Sequence, residues 1–119
     1  MITRDDLEQM FASVRAGAKW NVDYVCLWGY FFTDHDPAKL SAAASALERK
    51  GYRVVGILEP TRDDNDQDLL FLHVEREELH TVASLDNRNR ELYKFAEEFG
   101  LESYDGMDVG PIDDPLTPV

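Results

Sequence analysis

The segment DDNDQDLLFLHVE carries acidic side chains at a spacing that could hold a calcium ion. Asp64, Asp66 and Asp68 alternate with other residues, and Glu75 stands at the twelfth position counted from Asp64. An EF-hand loop takes oxygen ligands at these positions, but it also needs glycine at the sixth position for its sharp turn. Leu69 occupies that position, and the residues that follow it have the pattern of a strand. We therefore expect no calcium site in this segment.

The other side chains that could do chemistry do not converge. His35 is expected in a turn and His73 in the middle of a strand, so these two and His80 do not form a set of metal ligands. Cys26 lies in an apolar stretch, where a thiol behaves as a small hydrophobic group. There is no G-x-S-x-G turn and no glycine-rich phosphate loop. The sequence predicts no catalytic residue, no metal site and no cofactor, so we do not expect an enzyme.

Acidic residues dominate the charge of the chain. In 119 residues, 24 Asp and Glu oppose 12 Lys and Arg, which gives a formal net charge of -12. Such a charge repels nucleic acid phosphates, so we expect no direct contact with RNA or DNA. Two acidic runs are either solvated surface or patches that bind a basic segment of another protein. These candidate protein-binding residues are Asp63, Asp64, Asp66, Asp68, Asp105, Asp108, Asp113 and Asp114.

The length fits one domain with a single hydrophobic core. We assign this domain to residues 1–110 and expect a flexible tail, rich in proline and aspartate, over residues 111–119. Cys26 is the only cysteine, which excludes an internal disulfide, and the N-terminus has no secretory h-region. No apolar run is long enough to span a membrane, so we expect a cytoplasmic protein.

Three amphipathic helices are predicted from apolar residues at three- and four-residue steps. Thr3 and Asp36 are suitable N-caps for the first two helices. The expected spans are residues 3–17, residues 36–51 and a third helix that begins between residues 81 and 85 and ends at Gly100.

Four strands are predicted, over residues 22–33, 52–60, 68–75 and 103–109. The first is apolar in both of its alternating rows, which is typical of a central strand covered on both faces. We expect one of these rows to pack under the later helices and the other under the N-terminal helix.

The aromatic residues Trp28, Tyr30 and Phe32 lie in one row of the first strand and suggest two alternatives. They could stack RNA bases, as RNA-recognition domains of this topology do, but the acidic charge argues against it. If the N-terminal helix is mobile, the row could instead be a protein-binding face.

The order α, then β-α-β-β-α-β, predicts an α+β fold, the ferredoxin-like sandwich with a four-stranded antiparallel sheet and an extra N-terminal helix. The segment SYDGMDVG has the Asp-Gly signature of a hairpin, but too little chain follows it to return as a strand. We therefore interpret residues 103–109 as the fourth strand, in which Gly106 permits a bulge or a close backbone approach and Tyr104 packs in the core.

The stretches FFTDHDPAKLSAAASALERKGYRV, DLLFLHVE and ELYKFAEEFGLESYDGMDVG resemble the regulator of ribonuclease E activity B family. The resemblance covers residues 22–110, and its most specific pieces are GYRV at 51–54 and YDG at 104–106. It implies a ferredoxin-like fold and a non-catalytic, protein-binding inhibitor of endoribonuclease E that alters messenger RNA turnover. The implied partner is ribonuclease E or another RNA-processing enzyme.

Two other functions remain open from the sequence. Small acidic α/β domains also occur as immunity proteins that neutralise a toxin enzyme. A pocket between sheet and helices would instead favour an enzyme or a domain that senses a small molecule.

Overall fold

In the computed structural model, which describes residues 1–59 and 68–112, three helices and four strands follow the predicted order. The elements are α1 (Arg4–Gly17), β1 (Cys26–Asp34), α2 (Pro37–Arg49), β2 (Arg53–Leu58), β3 (Leu70–Glu78), α3 (Val82–Glu98) and β4 (Ser103–Gly110). None of the helices in these two ranges is long and apolar enough to cross a membrane.

Side-chain caps set the starts of the helices. Thr3 accepts a hydrogen bond from the backbone N–H of Asp6, whose carboxylate accepts one from the Thr3 backbone in return. Asp36 caps α2 directly before a proline at the first helical position. Thr81 and Ser84 form the same reciprocal pair at the start of α3. Because each cap satisfies backbone donors that a helix leaves open, these residues fix where the helices begin.

The sheet has the strand order β2-β3-β1-β4, and every neighbouring pair is antiparallel. This order confirms the predicted ferredoxin-like arrangement, with β1 in the interior of the sheet between β3 and β4. A bulge interrupts the pairing of β1 with β4, because Phe31 pairs with Gly106 and Phe32 with Tyr104. Asp105 is the extra residue, and Gly106 has a φ of 140°, a left-handed conformation that favours glycine. The fourth strand and its bulge at Gly106 are therefore confirmed.

One face of the sheet carries all three described helices. Trp28, Tyr30 and Phe32 are fully buried on this side. The ring of Phe11 in α1 lies 6.0 Å from that of Trp28, and the ring of Phe95 in α3 lies 5.7 Å from that of Phe32. Buried residues of α2 belong to the same core, and the largest of these α2 residues are Leu40 and Leu47.

The prediction that α1 and the later helices cover different rows of β1 is wrong. Phe11 packs on Trp28, so α1 joins the other helices on one side and contacts α3. The apolar second row had suggested a second cover, but Leu27 and Phe31 remain partly exposed. In the described part of the chain, no helix lies on that side of the sheet.

The first strand begins later than predicted, at Cys26 rather than at Val22. Asn21 accepts a hydrogen bond from the backbone of Asp23, and the following residues form a turn. Such local side-chain bonding of asparagine competes with strand pairing. Val22 is buried, whereas Tyr24, predicted in the aromatic row, is 68% exposed.

We predict that Phe11→Ala lowers the free energy of unfolding by about 3–5 kcal/mol, the usual cost of removing a buried aromatic ring. Phe31→Ala on the other side of the sheet is the matched control. Because Phe31 is partly exposed, we expect roughly half that cost or less. Urea denaturation of both variants measures the difference, and an equal or reversed order would contradict the placement of α1.

Candidate protein-binding face

The side of the sheet opposite the helices is a surface that the described helices leave uncovered, here called the open face. Its members follow from strand pairing, since directly paired residues in an antiparallel sheet share a face. Leu27 pairs with Glu77 and Phe31 with His73. The outward residues of the two central strands and β4 on this face include Leu27, Gly29, Phe31, His73, Glu75, Glu77 and Asp108.

The centre of the open face is apolar and aromatic. The rings of Phe31 and His73 are stacked, with centroids 4.3 Å apart and an interplanar angle of 15°. Leu27 lies on β1, as Phe31 does, and lines two shallow depressions of the surface. The prediction that His73 lies in the middle of a strand is therefore confirmed, and its ring packs against a neighbouring ring.

Gly29 makes the middle of the open face shallow. A Cβ placed there would lie 2.4 Å from Asp108 Oδ1 and 2.9 Å from His73 Nε2, closer than van der Waals contact permits. The missing side chain therefore lets a carboxylate and an imidazole lean over β1 from the strands on either side. An acidic group thus reaches towards the centre of the face.

Acidic residues flank this centre on both sides. Glu75 and Glu77 lie on β3, and Asp108 lies on β4. Among the outward residues of the described strands, the one Lys or Arg is Arg53, and its guanidinium is paired with Glu75. The net charge of the open face is therefore negative, and Glu77 and Asp108 are exposed.

The predicted acidic patches are only partly within the described residues. Asp105 and Asp108 are both exposed on β4, and Asp108, which pairs with Gly29, lies on the open face. Asp68 is exposed just before β3. The remaining members lie outside the described residues: Asp63, Asp64, Asp66, Asp113 and Asp114.

A polar cluster lies on the other side of the sheet, which carries the helices, where β3 meets α3. Arg88 donates two hydrogen bonds of 2.7 Å to the two carboxylate oxygens of Glu78. Tyr30 donates its hydroxyl hydrogen to Glu78 Oε1 over 3.1 Å, and His80 Nε2 lies 3.1 Å from the same oxygen. The side chains of Glu78, Arg88 and His80 are only 12%, 16% and 5% exposed.

The pKa values in this cluster follow from burial and from the charges it contains. Burial alone would raise the pKa of Glu78, but hydrogen bonds from His80 and Arg88 outweigh it and lower that pKa to about 2. Burial raises the pKa of Tyr30, and the charge of Glu78 adds to this effect. Arg88 also stacks near Tyr52, with its guanidinium carbon 5.5 Å from the ring centroid. Glu78 is therefore held ionised as an internal anchor between strand and helix.

Sequence reasoning placed the carboxylates on exposed positions and missed this cluster. Glu78 and Arg88 are ten residues apart in two different elements, so no local spacing reveals their pairing. Asp34 is likewise buried, and its oxygens accept hydrogen bonds from the backbones of Asp36 and Glu102. The hydrogen bonds of these carboxylates join different segments of the chain, so their role is structural.

Cys26 is buried, as predicted. Burial, followed by the negative charge of Asp23, raises the pKa of its thiol. A thiol with a raised pKa is a poor nucleophile at neutral pH, because the thiolate is the reactive form.

Replacing Glu78 by Gln should lower the free energy of unfolding by about 3 kcal/mol at pH 7, because it leaves Arg88 buried without its counter-charge. The pKa of Glu78 falls from 4.5 to about 2 on folding. Its contribution to stability is therefore complete above pH 4.5 and is lost as the pH falls towards 2. Urea titrations between pH 7 and 2 should show this loss in the parent chain and not in Glu78→Gln.

The neighbouring exposed residue supplies the control. Glu77→Gln removes a carboxylate one position away and should change stability by less than about 0.5 kcal/mol. If both variants unfold at the same urea concentration, the anchoring role of Glu78 is wrong.

A family model described as regulator of ribonuclease activity B matches residues 4–109, which include all seven helices and strands but for the last residue of β4. No curated protein matches the chain. The family match agrees with the resemblance drawn from the sequence. The chain belongs to the regulator of ribonuclease activity B family.

Proposed function

We propose that this protein is a non-catalytic regulator that lowers the activity of a ribonuclease of the endoribonuclease E type by binding to it through acidic surface residues. The family match carries the proposal, since the family is named for regulating ribonuclease activity. Asp105 and Asp108 on β4, with Glu77 on β3, are the described acidic residues that we assign to this contact. The same proposal includes five acidic residues outside the described ranges: Asp63, Asp64, Asp66, Asp113 and Asp114.

Binding to the enzyme rather than to its RNA is supported by the position of the aromatic residues. RNA-recognition domains of this topology stack bases on aromatic residues of the open sheet face. Here Trp28, Tyr30 and Phe32 have 0% exposure beneath the helices. The open face carries the stacked pair Phe31 and His73 among acidic residues that repel phosphates.

Charge complementarity gives a physical route to regulation. A ribonuclease must present cationic surface to its RNA substrate, because phosphate contacts dominate the affinity for nucleic acid. A protein with a net charge of -12 is attracted to the same surface and competes there with RNA. Regulation of this kind needs no catalytic group on the regulator. We place the interaction in the cytoplasm, and we treat residues 1–110 as the interacting domain.

The wild-type protein should slow the cleavage of an end-labelled RNA by the purified endoribonuclease of the same organism. Asp105→Lys/Asp108→Lys should need at least about fivefold more protein for the same slowing, because each reversal replaces an attraction by a repulsion. The slowing of RNA cleavage by the wild-type protein should weaken between 0.01 and 0.1 M salt, because the Debye length falls from about 30 Å to about 10 Å.

The matched control is Glu48→Lys/Glu98→Lys, which makes the same charge change at exposed positions on α2 and α3. It should inhibit as well as the wild type. If micromolar wild-type protein leaves the cleavage rate unchanged at low salt, the proposed function is wrong. Equal loss in both double variants would mean that only net charge matters.

A further inference from the structure

The open face has the composition of a layer that lacks its partner. A sheet that is apolar on one side normally buries that side against another element. Leu27 and Phe31 on β1 and Phe71 on β3 point away from the helices and are only partly buried. At the end of the same two strands, Val25 and Leu79 are 37% and 57% exposed.

Three of these apolar residues, Val25, Leu27 and Phe31, form a stripe along β1. From Val25 to Phe31 the chain advances six residues, about 20 Å at the rise of a strand. An α-helix of about 13 residues has the same length. At Gly29, in the middle of this stripe, the Asp108 carboxylate leans over β1, so that a helix lying along the strand would meet an acidic group there.

The acidic residues lie on the two sides of the stripe. Glu75 and Glu77 belong to β3, and Asp108 belongs to β4. Because β3 and β4 are each about 4.8 Å from β1, the two strands that carry these acidic residues are about 10 Å apart. This separation equals the diameter of an α-helix with its side chains. Cationic residues on both flanks of such a helix would therefore meet carboxylates, while its apolar side covers the stripe.

We propose that the open face binds an amphipathic helix of about 13 residues that lies along β1, apolar towards the sheet and rich in lysine or arginine on both flanks. Leu27 and Phe31 make the apolar contacts, and Glu77 and Asp108 select the cationic flanks. The inference rests on the proposed function in one respect, namely that the helix belongs to the regulated ribonuclease.

Charge decides between this occupant and two others. A second copy of the chain would bring its own acidic face against the first, and like charges in contact are unfavourable. Single-stranded RNA offers bases that could stack on the Phe31–His73 pair, but its phosphates would meet the same carboxylates. A basic helix satisfies both the apolar stripe and the acidic flanks.

The direct test uses a synthetic 14-residue peptide, helical in isolation, with leucine along one side and arginine on both flanks. The full chain, labelled with nitrogen-15, is titrated with this peptide at low salt. We expect chemical-shift changes on β1, β3 and β4 that centre on Leu27, Gly29 and Asp108. A peptide of the same composition with its leucines scattered around the helix should bind at least about tenfold more weakly, because it cannot cover the stripe.

Two variants separate the apolar contribution from the electrostatic one. Leu27→Ser and Glu77→Lys/Asp108→Lys should each weaken peptide binding about tenfold or more. Glu48→Lys/Glu98→Lys should bind like the wild type, since both of its sites lie on helices. Circular dichroism and thermal unfolding confirm that each variant is folded.

The outcomes separate this inference from the proposed function. Shift changes confined to the helix side, equal binding of both peptides, tighter binding of a poly-adenylate oligomer, or a concentration-dependent dimer closed by the open face would overturn the inference. If the peptide binds the open face but the chain does not slow the ribonuclease, the inference stands and the proposed function is wrong. If Leu27→Ser loses peptide binding but inhibits the ribonuclease like the wild type, the proposed function stands, and the assignment of the bound helix to the ribonuclease is wrong.

Discussion

The alternation of side chains along β1 is the constraint on which the rest of the structure depends. Trp28, Tyr30 and Phe32 point to one side and are completely buried. Leu27 and Phe31 point to the other side, where no described helix covers them. Because β1 pairs with β3 and β4 on its two edges, this alternation is imposed on the neighbouring strands through the register. One strand therefore defines both the core and the open face, which we propose as the surface that binds a partner.

The acidic residues of this chain divide into two groups with different roles. Glu78 and Asp34 are buried, and each is held by several hydrogen bonds. Glu77 and Asp108 are exposed on the open face. A buried carboxylate with a complete set of partners stabilises one packing of strand against helix and is not available to a ligand. The exposed carboxylates lower the local potential, which is what a cationic partner would detect.

Much of the fold could be predicted because its signals are local. Caps such as Thr3 and Asp36 mark helix starts with their own side chains, and Gly106 identifies a bulge through a conformation that other residues avoid. The placement of α1 could not be predicted in this way. Both rows of β1 are apolar, and periodicity does not tell which row a given helix covers.

The candidate site was less predictable than the fold. The acidic runs in the sequence predicted two binding patches, and of their residues Asp105 and Asp108 lie on β4. The contribution of Glu75 and Glu77 arises only when β3 is paired beside β1, which is a tertiary relation. The same holds for Glu78 and Arg88, whose contact joins a strand to a helix. Residues that act together across elements leave no fixed spacing in the chain.

The central claim is that the open face, and not the helix side, receives the regulated enzyme. Carboxyl footprinting of the complex with the ribonuclease tests it most directly, because exposed Asp and Glu react with a water-soluble carbodiimide and covered ones do not. The account predicts that bound enzyme protects Glu77 and Asp108 and leaves Glu48 and Glu98 as reactive as in the free protein. Protection of Glu48 and Glu98 with unchanged labelling of Glu77 and Asp108 would contradict it.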